Sequence, residues 1–123
     1  MTMPTIKKTG PVEGQLPDMP INPEWILEGK PEARGTVLLQ SPDQKVSAGF
    51  WSCTAGRFNW IFSWDEFVHI LEGEATIAQE GGPTITLKAG DSAHFPSGAK
   101  TEWLVPKYVR KFFTLRTADP FVL

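Results

Sequence analysis

Residues 60–73 read WIFSWDEFVHILEG, and this stretch decides the fold. Its second half, EFVHIL, is rich in β-branched and aromatic residues, which favours a strand. Glu72-Gly73 supplies a tight turn after that strand. A second stretch, GDSAHFPSGAKTEW at residues 90–103, again places a short apolar segment between turn residues. Together the two stretches predict short antiparallel strands joined by tight turns.

Short apolar segments separated by turn residues continue from these two stretches over most of the chain. Turn signals such as Glu80-Gly81-Gly82-Pro83 separate short apolar segments. The predicted strands are 36–40, 46–54, 58–62, 66–71, 75–79, 84–87, 92–95, 101–105 and 108–117. No window has a sustained helical period, so the sequence predicts an all-β jelly roll or small closed barrel.

The first part of the chain differs from the rest. Residues 1–33 hold six of the 11 prolines, and proline cannot donate a hydrogen bond to a strand ladder. We therefore expect an N-terminal arm at 1–33 and a barrel domain at 34–123. The apolar patch Trp25-Ile26-Leu27 is expected to dock either on the chain's own barrel or on a partner subunit.

Composition excludes several classes of function. A net charge of −2 without a basic run argues against nucleic acid as a partner. No apolar run approaches the ~20 residues of a membrane span, and the first residues lack the apolar segment of a secretory signal. The single cysteine, Cys53, suits a reducing compartment. We expect a cytoplasmic protein in which Cys53 is a buried, unreactive thiol.

The spacing of a few residues resembles the two motifs of the cupin superfamily (RmlC-like). Glu66 precedes Gly73 by the spacing of the first motif, and Gly90, Pro96 and Gly98 match the second. The resemblance covers about residues 35–117. WDEFVHILEGEATI and WLVPKYVRKFF further resemble the small single-domain DUF861 (Cupin_3) family, which is similar to ureidoglycine aminohydrolase and the ethanolamine-utilisation cupin. The resemblance implies the cupin double-stranded β-helix, a jelly-roll barrel.

The chain departs from the cupin pattern at the metal ligands. The resemblance implies three histidines and a glutamate, but Trp60, Phe62 and Thr101 stand at the histidine positions, and Glu66 alone remains. One carboxylate among aromatic rings does not make a transition-metal site. The sequence therefore predicts no metal and no other cofactor. A metal would require a different strand phase, with Glu66 joined by His69, His94 or Cys53.

Strand alternation together with the family phase predicts the candidate site. Five residues are expected to point into the barrel: Trp60, Phe62, Glu66, Thr101 and Trp103. With Trp51 they would form an aromatic pocket for a planar or cyclic ligand. The competing interpretation is plain core filling. Val68 and Ile70 share the face of Glu66.

Glu66 is the leading catalytic candidate, as a general acid or base. The alternative is a structural carboxylate paired with Arg57, Lys100 or Arg110. His94, near the expected barrel mouth, is a second catalytic candidate, whereas His69 has the opposite parity to Glu66 and is expected to face outward. Alternation turns only one of Arg110 and Lys111 inward, and an inward Arg110 would clamp a carboxylate or an anionic ligand.

We expect a cytosolic cupin that binds a small polar or cyclic metabolite in an aromatic cavity. The alternative is a metal-independent isomerase, lyase or aminohydrolase-like enzyme that uses Glu66. A third possibility is a structural or regulatory subunit with a packed barrel. A homodimer is also expected, because cupins of this size commonly pair through an outer sheet.

Overall fold

The computed structural model describes residues 3–12 and 14–122, which form seven β-strands and one short 3-10 turn at Pro23–Trp25. The strands are β1 (Ile26–Gly29), β2 (Ala33–Gln40), β3 (Val46–Ile61), β4 (Asp65–Gln79), β5 (Thr84–Lys88), β6 (Ser92–Phe95) and β7 (Lys100–Arg116). Within these residues there is no helix long and apolar enough to cross a membrane.

Three long strands organise the barrel. All pairings are antiparallel, and the strand order is β1-β3-β7-β4-β5, with β2 also paired to β3 and β6 to β4. Each of β3, β4 and β7 has partners on both sides, and together they carry most of the buried side chains of the sheet. Burial alternates along β4 and β7, whereas residues 47–53 of β3 are buried on both faces. The expected all-β jelly-roll barrel is confirmed.

Alternation along β4 places the candidate glutamate inside. Glu66, Val68 and Ile70 are buried, whereas Phe67 and His69 are exposed. This is the two-residue period of a strand with one face on a core. The prediction that Val68 and Ile70 share the face of Glu66 is therefore confirmed.

Three pairs of predicted strands are continuous in the structure. The predicted turns at Ala55-Gly56, Glu72-Gly73 and Pro106 lie inside β3, β4 and β7, where the register shifts by a bulge. A bulge accommodates an extra residue and bends the strand without ending it. Turn-forming residues alone do not distinguish a bulge from a loop, so the sequence predicted too many strand ends.

The N-terminal arm packs against the barrel of its own chain. Strand β1 pairs with β3, and Ile26 lies opposite Phe58. Leu16 and Ile21 are buried, and Trp25 meets Trp60 edge to face with ring centroids 5.3 Å apart. Of the patch Trp25-Ile26-Leu27, the first two residues therefore pack on the chain's own barrel, whereas Leu27 is 41% exposed. A strand inside this proline-rich segment was not predicted.

Candidate functional site

A cavity of about 250 Å³ lies inside the barrel. Its lining is Met19, Val37, Trp51, Phe58, Trp60, Phe62, Trp64, Glu66, Trp103, Lys111, Phe113, Leu115 and Phe121. Most of these side chains are buried, but five are only partly so: Met19, Val37, Trp60, Trp64 and Phe121. These five mark the mouth, where the arm, β2 and the C-terminal segment meet the barrel.

The walls of the cavity are largely aromatic. Four of the five tryptophans line it. Trp103 stacks on Phe58 with centroids 6.0 Å apart and planes at 12°, and Trp51 meets Trp103 edge to face at 5.9 Å. Thr101 stands behind this wall, because its hydroxyl accepts a hydrogen bond from Trp103 Nε1 and donates one to the Trp60 carbonyl oxygen. The rings are thus held in fixed orientations.

A buried ion pair provides the polar part of the cavity. Lys111 Nζ donates to Glu66 Oε2 at 2.7 Å, and the two residues are 6% and 4% exposed. The other carboxylate oxygen accepts a hydrogen bond from Trp64 Nε1 at 2.9 Å. Glu66 and Lys111 are the charged side chains of the cavity lining. The direct contact between the two charges offsets the hydration that each loses on burial.

Strand register places the lysine over the indole rings. Lys111 lies directly opposite Trp51 in the β3–β7 pairing, so the two side chains project to the same face. The Lys111 ammonium is 4.6 Å from the centroid of the Trp51 ring and 5.2 Å from that of Trp103. Both distances are within cation–π range, roughly 6 Å. The ammonium is therefore held by a carboxylate and two aromatic faces.

The structure brings most of the predicted site residues together. Trp51, Trp60, Phe62, Glu66 and Trp103 all line the cavity. The remaining predicted inward residue, Thr101, is buried but orients the neighbouring indole and does not line the cavity. Their role in ligand binding stays a prediction.

Arg110 is not part of this cavity. Its guanidinium donates to the carbonyl oxygen of Val12 in the arm and lies 5.9 Å from the centroid of the Phe50 ring. It therefore does not clamp Glu66, and neither does Arg57, which pairs with Glu28 and Glu102. The basic partner of Glu66 is Lys111, because alternation along β7 sends odd-numbered side chains inward.

His94 also lies away from the cavity, on the exposed face of β6. Its ring stacks on Phe67 with centroids 4.4 Å apart, and its Nε2 is 3.2 Å from Asp65 Oδ1. The Ser97 backbone N–H and then His94 hold the pKa of Asp65 below its ordinary value. His69 faces outward as expected, with Nδ1 2.9 Å from Ser92 Oγ. No histidine therefore joins Glu66 in the cavity.

Sequence reasoning missed several lining residues. The signal for Lys111 was present: Thr101 and Trp103 were expected to face inward, and Lys111 shares their odd parity. The sequence predicted a strand end at Pro106, and after a strand end the parity of Trp103 no longer indicates which way Lys111 points. In the structure a bulge places both Pro106 and Lys107 between paired residues, so the phase is kept. Met19, Trp64 and Phe121 lie in irregular segments, where periodicity gives no signal.

Comparison with known proteins identifies the family. The model of the EutQ-like cupin domain matches residues 40–113, which is more than half of the chain. The chain belongs to the EutQ-like cupin family. This cupin is 25% identical over 83 residues to the protein named acetate kinase EutQ of Clostridioides difficile strain 630. The match covers 68% of this chain and 51% of that protein, so this cupin spans about half the length of that curated relative.

Solved structures agree with this assignment. A protein assigned to ethanolamine utilization (EutQ) in Salmonella typhimurium LT2 is 29% identical, with a TM-score of 0.61 over 74% of this cupin and 72% of that chain. A DUF861 family protein of unknown function from Pseudomonas syringae pv. tomato has a TM-score of 0.76 over 85% of this cupin and 45% of that chain. At 24% identity the second match supports the fold alone.

The residues of this cupin do not fit the metal that many cupins hold. Both oxygens of Glu66 already accept hydrogen bonds, one from an indole and one from an ammonium. Across residues 3–12 and 14–122, no three His, Cys, Asp or Glu side chains come together to form a ligand set. The positive charge beside Glu66 belongs to Lys111, so a divalent cation there would meet a like charge instead of further ligands.

Cys53 lies in β3 and is fully buried. Burial raises the pKa of its thiol from 9.0 to about 12, although the nearby Lys111 charge acts in the opposite direction. The thiol therefore stays protonated near neutral pH, and the thiolate is the reactive form. This agrees with the expected unreactive thiol.

Proposed function

We propose that this cupin binds a small, ring-containing metabolite in the barrel cavity. The observation that carries the proposal is the cavity itself: about 250 Å³, walled by aromatic side chains and provided with one buried ion pair. Small-molecule sites combine apolar walls with a few well-placed polar groups in this way. The volume is just below the roughly 300–1,000 Å³ of drug-sized sites, which favours a molecule of one ring.

The cavity argues against a barrel that serves only as a packed core. Protein interiors pack at the density of organic crystals, with few voids larger than a water molecule. A purely structural barrel would have closed the space between Trp51, Trp60 and Trp103, whereas here Trp60 extends to a partly open mouth. The space between these rings therefore supports a binding role.

An acid–base enzyme is the second candidate, and the Glu66–Lys111 contact is the observation that favours it. A carboxylate and an ammonium 2.7 Å apart in an aromatic cavity can exchange a proton with a bound molecule. His94, the other catalytic candidate, lies outside the cavity, so the acid in such a mechanism would be Lys111. Glu66→Gln separates the two candidates: an enzyme loses turnover and retains binding, whereas a binder changes only in affinity.

The acetate kinase activity named for the Clostridioides difficile relative is not proposed for this chain. A kinase must neutralise the charges of a nucleotide triphosphate with several cations or backbone N–H groups. The cavity offers one ammonium, and that ammonium is already paired with Glu66. Half of the relative's length also lies outside the match.

The proposal is tested by blocking the mouth of the cavity. Phenol, a small neutral ring, is titrated into the protein while tryptophan fluorescence and the melting temperature are followed, because four of the five tryptophans line the cavity. Val37→Trp places a ring in the mouth, and Leu38→Trp adds the same ring at the neighbouring exposed position.

We expect saturable phenol binding to the wild type and to Leu38→Trp, and at least tenfold weaker binding to Val37→Trp. Equal binding to both variants would place phenol elsewhere and contradict the proposal. Absence of saturable binding to the wild type at millimolar phenol would also contradict it.

A further inference from the structure

The Glu66 end of the cavity has the parts of a binding site for an organic cation. A carboxylate and two indole faces, those of Trp51 and Trp103, converge on one point. Carboxylate charge and aromatic faces are the features that recognise ammonium groups. In this chain the point is occupied by the protein's own Lys111 ammonium. A side chain of the protein therefore occupies the position that a ligand cation would take.

This arrangement determines which ligand charge the cavity accepts. Lys111 Nζ and Glu66 Oε2 are 2.7 Å apart, so a charged ligand that contacts one of them lies close to both. A cationic ligand would be repelled by the ammonium, and an anionic ligand would be repelled by the carboxylate. Both charges are buried, so solvent screens them little. Because the charged pair sums to zero, an uncharged molecule enters without leaving a charge uncompensated.

The hydrogen-bonding capacity that remains is specific. A carboxylate has about four lone-pair positions, and the described contacts of Glu66 use two of them, with Trp64 and Lys111. An ammonium has three N–H donors, and Lys111 gives one to Glu66. The cavity thus presents a spare acceptor beside a spare donor.

We infer that Lys111 is a built-in cation that makes the cavity selective for uncharged planar rings with adjacent N–H and C=O groups, a lactam edge. The N–H donates to Glu66, the C=O accepts from Lys111, and the ring lies among the tryptophans. This inference rests on the proposed small-molecule function and specifies its ligand class.

Three one-ring compounds test the ligand class in the wild-type protein. 2-Pyridone carries the lactam edge, 1-methyl-2-pyridone lacks the N–H, and 1-methylpyridinium carries a positive charge. Hydrogen bonds to charged groups are worth about 1.5–3 kcal/mol, so we expect 2-pyridone to bind at least about tenfold more tightly than either relative. Isothermal titration calorimetry gives the three dissociation constants.

The lysine is tested with Lys111→Met, which keeps the length of the side chain and removes its charge. Glu66 then keeps the hydrogen bond from Trp64 but faces the two indoles without a compensating cation, and we expect 1-methylpyridinium to gain at least tenfold in affinity and to raise the melting temperature of the variant. 2-Pyridone should lose affinity. Lys107→Met, an exposed lysine on the same strand, is the matched control and should behave as wild type.

The outcomes separate this inference from the proposed function. If neither phenol nor any of the three compounds binds the wild type, both fall. If phenol binds and none of the three compounds does, only the inference falls. If they bind but 1-methylpyridinium equals or exceeds 2-pyridone, the cavity is a binding site and the selectivity is wrong. A folded Lys111→Met protein that gains no cation affinity also overturns the inference. If Lys111→Met does not fold, the wild-type ranking alone decides.

Discussion

At the scale of single residues, the Glu66–Lys111 pair is the feature with the largest expected energetic consequences. Both side chains are buried and in direct contact. Removal of one partner leaves a buried charge without compensation, so we expect Glu66→Gln or Lys111→Met alone to lower the free energy of unfolding by about 3–5 kcal/mol. Urea unfolding followed by tryptophan fluorescence measures this change.

The double replacement Glu66→Leu with Lys111→Met is the control for this pair. An apolar pair of similar volume removes both charges at once, and such replacements are often neutral or stabilising. We therefore expect the double variant to recover most of the stability lost in the single variants. Single variants within about 0.5 kcal/mol of the wild type would be typical of a solvated surface pair and would contradict the buried pair described above.

Cys53 makes stability depend on pH in the alkaline range. Its pKa is raised from 9.0 to about 12 in the folded chain, so above pH 9 the unfolded chain releases the thiol proton while the folded chain keeps it. The stabilisation is complete below pH 9 and is lost as the pH rises toward 12. We expect the decline in unfolding free energy between these values to be shallower in Cys53→Ala than in the wild type. Parallel declines would contradict this.

At the scale of elements, the motif glycines explain why the sequence signal for this fold was strong. Gly73, Gly90 and Gly98 all have positive φ, at 72°, 95° and 92°, where a side chain is strained. Gly73 carries a second constraint, since an added Cβ would overlap the Tyr108 carbonyl oxygen on β7. At Gly90 the corresponding space is open.

This difference predicts unequal effects of alanine at two glycines of similar φ. Gly90→Ala should cost about 1–2 kcal/mol, from the left-handed backbone alone. Gly73→Ala should cost clearly more, because β4 and β7 must also move apart. Thermal unfolding of the two variants beside the wild type measures the difference. Equal losses of stability in the two variants would contradict this prediction, because they would mean that β4 and β7 move apart at no cost in free energy.

The elements also show where sequence reasoning ends. The strand cores were predictable because β-branched and aromatic residues fill them and because Glu66, Val68 and Ile70 keep one parity. The bulges were not predictable, because Gly56 and Pro106 are residue types typical of turns although they lie within strands here. The inward position of Lys111 followed from the parity of Trp103 only if β7 continued past Pro106, which requires knowledge of the tertiary pairing.

At the scale of the whole molecule, the architecture was predictable and the site only partly so. The spacing of Glu66, Gly73, Gly90, Pro96 and Gly98 resembles that of the cupin motifs, and this resemblance, together with the strand-forming composition, predicted the jelly roll. The cavity also depends on Met19 and Phe121, which come from segments far apart in the chain and close its mouth together. Such long-range contacts leave no periodic trace in a sequence.

The outer face of the barrel leads to a prediction about assembly. Phe67 and Leu71 on β4 are 53% and 40% exposed, and Phe112 lies beside Phe67 in the same surface depression. Contiguous apolar patches on a protein surface often mark interaction sites, whereas single exposed apolar residues do not. A net charge of −2 opposes self-association only weakly. We propose a second copy of the chain as the occupant, in a two-fold symmetric dimer.

The dimer is tested by size-exclusion chromatography with light scattering at micromolar concentration. We expect twice the chain mass of 13.7 kDa for the wild type. Phe67→Lys places a charge at the most exposed of these apolar positions and should give the monomer mass, because a two-fold dimer through this surface would bury both charges in one interface. Ile85→Lys, at an exposed apolar position on β5, should remain dimeric. A monomer mass for the wild type would overturn the assembly, and a dimeric Phe67→Lys would move the interface to another face.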